Sequence, residues 1–252
     1  MVNPITAWNL LNESRVHADQ WLAVTAGNST VATMVLQFAK FRKVNVISII
    51  RRAQKGLDLK ALGASEVIEL SSLSGDISEQ IMEITVKHGV DGVIDGVGGA
   101  LLGELIRCGA SGGQAILHGG YSPERFDLHN FDLLLKGSAI KSYVYRYFFT
   151  PPQKEHAKLL REIVDISGRP EFRVPVGGLH PLEDFQSAIN ETANHQSLRS
   201  RLGRAVFFLV SRSTRFEKCT CSVDFLQFQN FRASNWSLAI CTKACNLQND
   251  YR

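Results

Sequence analysis

A glycine-containing turn near the start of the chain has the residue types and spacing of a nucleotide phosphate site. Gly27 to Ala32 read GNSTVA and lie between an apolar run, Trp21 to Val24, and an amphipathic segment, Val31 to Phe41. This is the spacing of the dinucleotide fingerprint G-x-G-x-x-G, with serine and alanine at its second and third glycines. A helix that begins at Ser29 or Thr30 would offer its free N–H groups to a pyrophosphate. The turn therefore predicts dinucleotide binding, and an ordinary tight turn is the alternative.

Two consecutive arginines follow the next apolar run, and they bear on which dinucleotide would bind. Arg51 and Arg52 come directly after Val44 to Ile50, and the first acid beyond them is Asp58. NAD-selective sites usually have Asp or Glu about 20 residues past the glycines, whereas arginine suits the 2′-phosphate of NADP. The planar guanidinium matches a phosphate with two parallel donors. The sequence thus favours NADPH over NADH, and a pair of solvated arginines is the alternative.

Apolar runs alternate with helix-like segments across residues 1–150. The runs predicted as strands are Trp21 to Val24, Val44 to Ile50, Val67 to Leu70, Val90 to Val97, Gln114 to His118 and Ser138 to Tyr145. The segments predicted as helices are Met1 to Val16, Val31 to Phe41, Ala53 to Leu62, Ser74 to His88 with Ile77, Ile81, Ile84 and Val86 on one face, and Leu101 to Cys108. The alternation predicts an α/β fold with a Rossmann-type, doubly wound, parallel six-stranded sheet.

Ligands of such sheets lie outside the carboxyl ends of the strands. The turns predicted to line the site are Gly27 to Val31, Arg51 and Arg52, Val97 and Gly98, Gly119 to Tyr121, and Tyr143 to Tyr145. Glycines in these turns would let a flat cofactor approach the backbone, although glycine is also a common turn former. Tyr121, Tyr145 and His118 lie near the predicted site, but structural roles are the alternative for all three. No catalytic residue is assigned.

Composition narrows the class of protein. The chain has 252 residues, 44% of them hydrophobic, and can bury a full core. Its net charge of +4 is modest and is not concentrated in one run, so neither nucleic acid nor a membrane is an expected partner. No stretch approaches 18 uninterrupted apolar residues, and no leader with a cleavage site is found. A soluble, cytoplasmic protein is expected.

Catalytic zinc is not predicted. Zinc dehydrogenases hold the metal with cysteine and histidine ligands. Up to residue 209 the chain has one cysteine, Cys108, and no Cys/His pair at ligand spacing.

Several short motifs occur in an order that resembles a known superfamily. They are NPITAW, AGNSTVA, IIRR, GASEVI, VIDGVGG, AILHGGYS and LGRAVFF, spread between Val2 and Leu209. Together they resemble the medium-chain dehydrogenase/reductase superfamily, and within it the zinc-independent, NADPH-dependent enoyl-thioester reductases and quinone oxidoreductases. The resemblance implies hydride transfer from NADPH to an activated double bond of an enoyl thioester or a quinone-like small molecule. It also implies a possible homodimer joined through the edge strand near Ala139 to Tyr147.

The resemblance also implies roles for individual positions in the cofactor site. Asn3 matches an asparagine near the nicotinamide; Gly27, Asn28, Ser29, Thr30 and Val31 match the pyrophosphate turn; Arg51 and Arg52 match the 2′-phosphate site; Gly119, Gly120 and Tyr121 match the segment that passes the nicotinamide ribose; and Tyr143 and Val144 match positions whose backbone contacts the nicotinamide amide.

The chain departs from the family pattern at both ends. Family members carry an N-terminal GroES-like domain that supplies most of the substrate pocket, and the sequence is expected to lack it. We therefore expect a lead-in helix (1–20), an NADP-binding domain (21–150) and a return segment of the catalytic domain (151–209) whose strand would have no sheet to join. A non-catalytic nucleotide-binding fragment or partner subunit is the alternative function. Mitochondrial localisation is the alternative if a missing N-terminal part carries a transit peptide.

The last segment, residues 210–252, has no glycine or proline and is expected to be a poorly ordered tail outside the family fold. It contains Cys219, Cys221, Cys241 and Cys245. The C-x-C and C-x3-C spacings are not the usual zinc knuckles, so a metal site is only the alternative.

Overall fold

The computed structural model of the chain describes residues 2–54, 56–71, 76–145, 153–174, 176–193 and 204–208. The predicted tail, residues 210–252 with its four cysteines, lies outside the described residues. Residues 146 and 147 of the predicted edge strand also lie outside them.

One parallel sheet organises the fold. Its strands are β1 (Trp21–Val24), β2 (Asn45–Ile50), β3 (Glu66–Glu69), β4 (Val90–Asp95), β5 (Gly109–Leu117) and β6 (Ala139–Ser142). They pair in the order β3-β2-β1-β4-β5-β6, and every pairing is parallel. The predicted doubly wound, six-stranded sheet is confirmed. The strand order reverses between β1 and β4, which is where such sheets bind their ligands.

Helices bury both faces of this sheet. In chain order they are α1 (Val2–Glu13), α2 (Thr30–Phe41), α3 (Ile77–Ile84), α4 (Gly99–Arg107), α5 (Asn130–Leu134) and α6 (Ala157–Ser167). Residues of α1, α2 and α6 form one core with Leu22 and Val24 of β1, whereas residues of α3 and α4 form a second core with Ala23. Strands covered on both faces read as continuous apolar runs, which is why the sequence revealed them.

The helix predicted over Ala53 to Leu62 is wrong. The structure has turns there, and the chain then enters β3. Within this range Gly56 has a positive φ of 85°, and the Asp58 side chain accepts a hydrogen bond from the Ala61 N–H at 3.0 Å. Positive φ at glycine and an aspartate that caps its own turn both interrupt a helix.

The predicted apolar face of α3 includes one residue, Val86, that lies beyond the end of the helix. Ile77 and Ile81 are buried, but Val86 is exposed because the helix ends at Ile84. The Thr85 hydroxyl donates to the Ile81 carbonyl at 2.8 Å and accepts from the Gly89 N–H at 2.9 Å. Val86 then adopts a φ of 52°, so its side chain leaves the helical face.

The return segment has its own small sheet. β7 (Val176–Pro181) pairs in parallel with β8 (Arg204–Phe208), and α7 (Phe185–Ala193) contacts both strands. The strand of the return segment therefore has a partner within the same segment, and this pairing satisfies backbone groups that would otherwise be exposed at an edge. Just before β7, the Gln37 side chain of α2 exchanges two hydrogen bonds with the backbone of Arg173, at 2.8 and 2.6 Å.

No helix in the described part of the chain is long and apolar enough to cross a membrane.

Candidate cofactor site

The turn after β1 fits tightly against β2. The Gly27 N–H donates to the Ile49 carbonyl at 2.9 Å. A Cβ atom at Gly27 would lie 2.0 Å from the Ser48 hydroxyl oxygen, a distance that no side chain tolerates. Ser48 is fully buried, and its hydroxyl has no hydrogen-bond partner among the described residues. Only glycine at position 27 therefore allows the backbone to cross β2 so closely.

The helix that follows this turn begins where the fingerprint requires. Ser29 is the N-cap of α2, and its hydroxyl accepts from the Ala32 N–H at 3.3 Å. The other first-turn N–H groups of a helix have no intrahelical acceptor, and with the helix dipole they favour an anion. Ala32 is buried in the core beside β1, as close packing of helix on strand demands. The predicted residues Asn28, Ser29, Thr30 and Val31 thus lie around a helix N-terminus that fits a pyrophosphate.

A buried acid joins the turns after β1 and β4, and the sequence analysis did not identify it. Asp95 is fully buried, and it accepts hydrogen bonds from the Thr25 hydroxyl (2.7 Å) and from the N–H groups of Val97 (3.2 Å) and Gly98 (2.8 Å). The Thr25 hydroxyl oxygen in turn accepts from the Gly96 N–H at 2.9 Å. Hydrogen bonds to a charged acceptor are the stronger kind. The two turns that flank the switch point are therefore locked together.

The end of β5 packs on the end of β4. The His118 N–H donates to the Asp95 carbonyl at 2.8 Å, and a Cβ at Gly96 would lie 3.2 Å from the His118 ring. Burial lowers the pKa of the His118 imidazole, and the charge of Asp95 partly opposes this shift. A Cβ at Gly119 would lie 2.7 Å from the Gly96 carbonyl oxygen, so glycine permits the contact. Gly119 and Gly120 are exposed at the edge of the crevice.

The predicted arginines lie at the carboxyl ends of β2 and β3. Arg51 and Arg52 are both exposed, and the Arg51 carbonyl accepts from the Ser71 N–H at 3.0 Å. Ile50 at the end of β2 contacts the position of a Gly27 Cβ at 3.2 Å, so the arginines follow directly from the strand against which the glycine turn packs.

The end of β6 and the start of α1 complete the edge. The Tyr143 N–H donates to the Leu117 carbonyl at 2.7 Å, and the Tyr143 hydroxyl accepts from the Asn9 side chain at 3.3 Å. Further along α1, the Glu13 carbonyl binds the Gln114 side chain. The helix therefore runs from the carboxyl edge of the sheet toward the opposite edge, and Asn3 lies at the carboxyl-edge end.

The structure brings together most, but not all, of the predicted residues. Contacts between turns join the ends of β1, β2, β4 and β5. The Ser122 N–H donates to the Val97 carbonyl at 2.7 Å, which links the turn after β4 to the segment after β5. Tyr121 and Val144 project into solvent, with relative exposures of 71% and 72%. The missed residues are Thr25 and Asp95. The one sequence signal for the second was an acid at the end of the apolar strand VDGVID.

A cavity of about 560 Å³ lies at the opposite edge of the sheet and is separate from this site. It is lined by Lys87, Arg107, Lys136 and Cys108, among others. Burial raises the pKa of the Cys108 thiol to about 11, so the thiol is protonated at neutral pH. Within the described ranges, no group of three or more His, Cys, Asp or Glu side chains is placed to hold a metal ion.

Comparison with known proteins agrees with this geometry. A family model described as zinc-binding dehydrogenase matches residues 30–165, more than half of the chain. The mitochondrial enoyl-[acyl-carrier-protein] reductase of Dictyostelium discoideum is 24% identical over 75% of this chain and 55% of its own. The human enzyme of that name is 26% identical over 75% of this chain and 52% of its own. The chain spans about half the length of the curated relatives it matches.

Solved structures show the same fold. A mycobacterial protein in complex with NADPH is 25% identical, with a TM-score of 0.65, over 82% of this chain and 62% of its own. The mitochondrial 2-enoyl thioester reductase heterodimer of Candida tropicalis is 20% identical, with a TM-score of 0.65, over 77% of this chain and 57% of its own. Together with the family match, these likenesses confirm the predicted resemblance: the chain belongs to the zinc-binding dehydrogenase family of the medium-chain dehydrogenase/reductase superfamily.

Proposed function

We propose that this chain is the cofactor-binding portion of an NADPH-dependent oxidoreductase that reduces an activated double bond, as an enoyl-thioester reductase does. The observation that carries the proposal is the turn after β1, where Gly27 crosses β2 and Ser29 caps α2 at the switch point of the sheet. The curated relatives named above are enoyl reductases, and one structural neighbour was solved with NADPH. These names support the proposal.

Each part of the dinucleotide has a proposed place along the edge. The pyrophosphate would bind at the N-terminus of α2, near Asn28, Ser29, Thr30 and Val31. The 2′-phosphate would bind Arg51 and Arg52, since both are exposed and carry the donors that phosphate prefers. The nicotinamide ribose would pass Val97 and Gly119 to Tyr121, and the nicotinamide would lie near Asn3, Tyr143 and Val144. The Tyr143 N–H donates to the Leu117 carbonyl, which fixes this segment at the end of β5.

NADPH supplies the hydride when it is bound, and this chain's task is to position and shield it. Asp95 and Thr25 hold the β1 and β4 turns in register, so the cofactor would meet a preformed cleft. No residue of the described chain is assigned a catalytic proton transfer. The proposed substrate is an enoyl thioester, and a quinone-like molecule is the alternative substrate.

A second candidate function is a nucleotide-binding fragment or partner subunit without catalysis. The chain spans 55% and 52% of its curated relatives, which favours a cofactor domain that acts with further protein. The division into 1–20, 21–150, 151–209 and 210–252 remains part of this proposal. The relatives are mitochondrial by name, which supports the mitochondrial alternative over the cytoplasmic expectation.

Calorimetric titration of the purified chain with NADPH, NADP⁺ and NADH tests the proposal. We expect NADPH to bind more tightly than NADH. Arg51→Ala combined with Arg52→Ala should weaken NADPH binding by about 1.5 to 3 kcal/mol, the range for hydrogen bonds to charged groups, and should leave NADH binding nearly unchanged. A folded chain that binds none of the three would rule out the oxidoreductase proposal. Binding without turnover of an enoyl thioester or a quinone would favour the second candidate.

A further inference from the structure

An acidic residue lies beside the proposed 2′-phosphate site. Glu69 is the last residue of β3, and in the strand register it is paired with Ile50, the residue immediately before Arg51. Beyond this pair, the Leu70 N–H donates to the Ile50 carbonyl at 2.9 Å, and the Ser71 N–H donates to the Arg51 carbonyl at 3.0 Å. The segments after β2 and β3 are therefore joined through their backbones next to the arginines.

The Glu69 carboxylate acts on the arginine segment through one hydrogen bond to its backbone and through its charge. It accepts hydrogen bonds from the Ser71 hydroxyl, at 2.7 Å, and from the N–H of Ala53, the residue after Arg52. It also lies within electrostatic reach of the Arg52 guanidinium. The Ser71 hydroxyl, the Ala53 N–H and the Arg52 charge together lower the pKa of Glu69, so the carboxylate is ionised at neutral pH.

The hydrogen bond to Ala53 and the charge of Glu69 have opposite consequences for a phosphate ligand. The hydrogen bond to Ala53 restrains the backbone that carries Arg52, which favours binding because less motion is lost. The negative charge weakens the field of the nearby Arg52 guanidinium and repels an incoming phosphate dianion. NADH has no 2′-phosphate, so it would not experience this repulsion.

We propose that Glu69 limits the preference for NADPH over NADH: it restrains the arginine segment through the Ala53 N–H, and its charge beside Arg52 opposes the 2′-phosphate. This inference rests on the proposed function. It makes Glu69 a specificity-determining residue that limits, rather than creates, selectivity for the phosphorylated cofactor.

Two substitutions of Glu69 distinguish the effect of its hydrogen bond to Ala53 from the effect of its charge. Glu69→Gln keeps an amide oxygen for the Ala53 N–H and removes the charge, whereas Glu69→Ala removes both. Glu66→Gln is the control, because Glu66 lies on the same strand and its removal changes the net charge equally. Glu66 pairs with Lys60 at 2.9 Å, at the other end of β3. Each variant is titrated with 2′,5′-ADP and 5′-AMP, which differ only in the 2′-phosphate, and its folding is verified by circular dichroism.

We expect Glu69→Gln to raise the affinity ratio of 2′,5′-ADP over 5′-AMP by roughly two- to fivefold, the range for exposed charge pairs. The gain should shrink as salt is added, Glu69→Ala should gain less, and Glu66→Gln should match the wild type. An unchanged ratio in Glu69→Gln, or an equal rise in Glu66→Gln, would overturn the inference while NADPH binding by the wild type keeps the proposed function. A folded wild-type chain that binds no nucleotide would overturn both.

Discussion

The carboxyl edge of the sheet differs between its two sides. On the β1 side, formed by the turns after β1, β2 and β4, Thr25, Gly27 and Asp95 are buried and joined to their neighbours. On the β6 side, formed by the turns after β5 and β6 together with α5, large apolar side chains face solvent. They include Tyr121, Phe131, Leu134, Leu135 and Val144.

The two sides would therefore serve different steps: the β1 side would bind the cofactor phosphates, and the β6 side would be where hydride transfer takes place. The geometry of the β1 side depends on contacts within this chain, so phosphate binding there would not require a second protein chain or domain. Hydride transfer requires a pocket that excludes water, because orientation and desolvation supply much of the rate. The β6 side has no such cover in the described chain, and apolar surface of this kind favours contact with further protein. A second copy joined through β6, the terminal strand of the sheet, remains the proposed dimer.

The largest expected effect is on the buried acid of the β1 side. Asp95→Ala leaves the Thr25 hydroxyl and the N–H groups of Val97 and Gly98 without their acceptor, and it should lower the free energy of unfolding by about 3 kcal/mol. The control on the β6 side is Asp132→Ala, which removes the capping-box carboxylate that accepts from the His129 N–H at the start of α5 and should cost about 1 kcal/mol. Urea denaturation measures both. Equal losses would contradict the distinction between the two sides.

A smaller effect is expected from a matched pair of glycines. Gly27→Ala places a methyl group 2.0 Å from the Ser48 hydroxyl oxygen and should cost about 2 kcal/mol of stability. Gly120→Ala meets nothing within 4 Å and should change stability by less than about 0.5 kcal/mol.

A second substitution tests whether the cost comes from this contact. Adding Ser48→Ala to Gly27→Ala removes the colliding oxygen and leaves 3.2 Å to the nearest remaining atoms, so part of the lost stability should return. Thermal unfolding of the single and double variants measures the interaction free energy between positions 27 and 48. Additive losses would show that the methyl group is accommodated without displacing Ser48.

The fold was largely predictable because the features that specify it are local. Strands buried on both faces are continuous apolar runs, and the fingerprint turn lies within six residues, so β1, α2 and β2 were found close to their observed bounds. The helix expected after β2 was wrong because Gly56 adopts a positive φ and Asp58 caps a turn within the same stretch. A local sequence pattern therefore predicts a helix or strand correctly only where no residue in it adopts a backbone conformation that interrupts that element.

The site was less predictable because its organising contacts are remote in sequence. Thr25 and Asp95 are separated by 70 positions, and nothing in either segment identifies the other as its partner. The close approach of Gly27 to Ser48 depends on strand pairing in the same way. The motif located the turn after β1 that is proposed to bind phosphate, whereas the hydrogen bonds that hold this turn in place could be seen only in the folded chain. The assignment of the cofactor residues themselves stays a prediction.

The smallest expected effect concerns the histidine at the boundary between the two sides. Burial against Gly96 lowers the pKa of His118 below its ordinary value of 6.5, despite the nearby Asp95 charge. In the window between the folded-state pKa and 6.5, the unfolded chain therefore binds more protons. The contribution of His118 to stability is present above pH 6.5 and is lost as the pH falls through the folded-state pKa.

His118→Gln should consequently flatten the dependence of the free energy of unfolding on pH relative to the wild type. Urea denaturation between about pH 5 and 8 measures the difference. If His118→Gln and the wild type lose stability in parallel as the pH falls, the imidazole is not desolvated by the β4 turn. The packing of β5 on the β1 side would then be looser than the contact with Gly96 indicates.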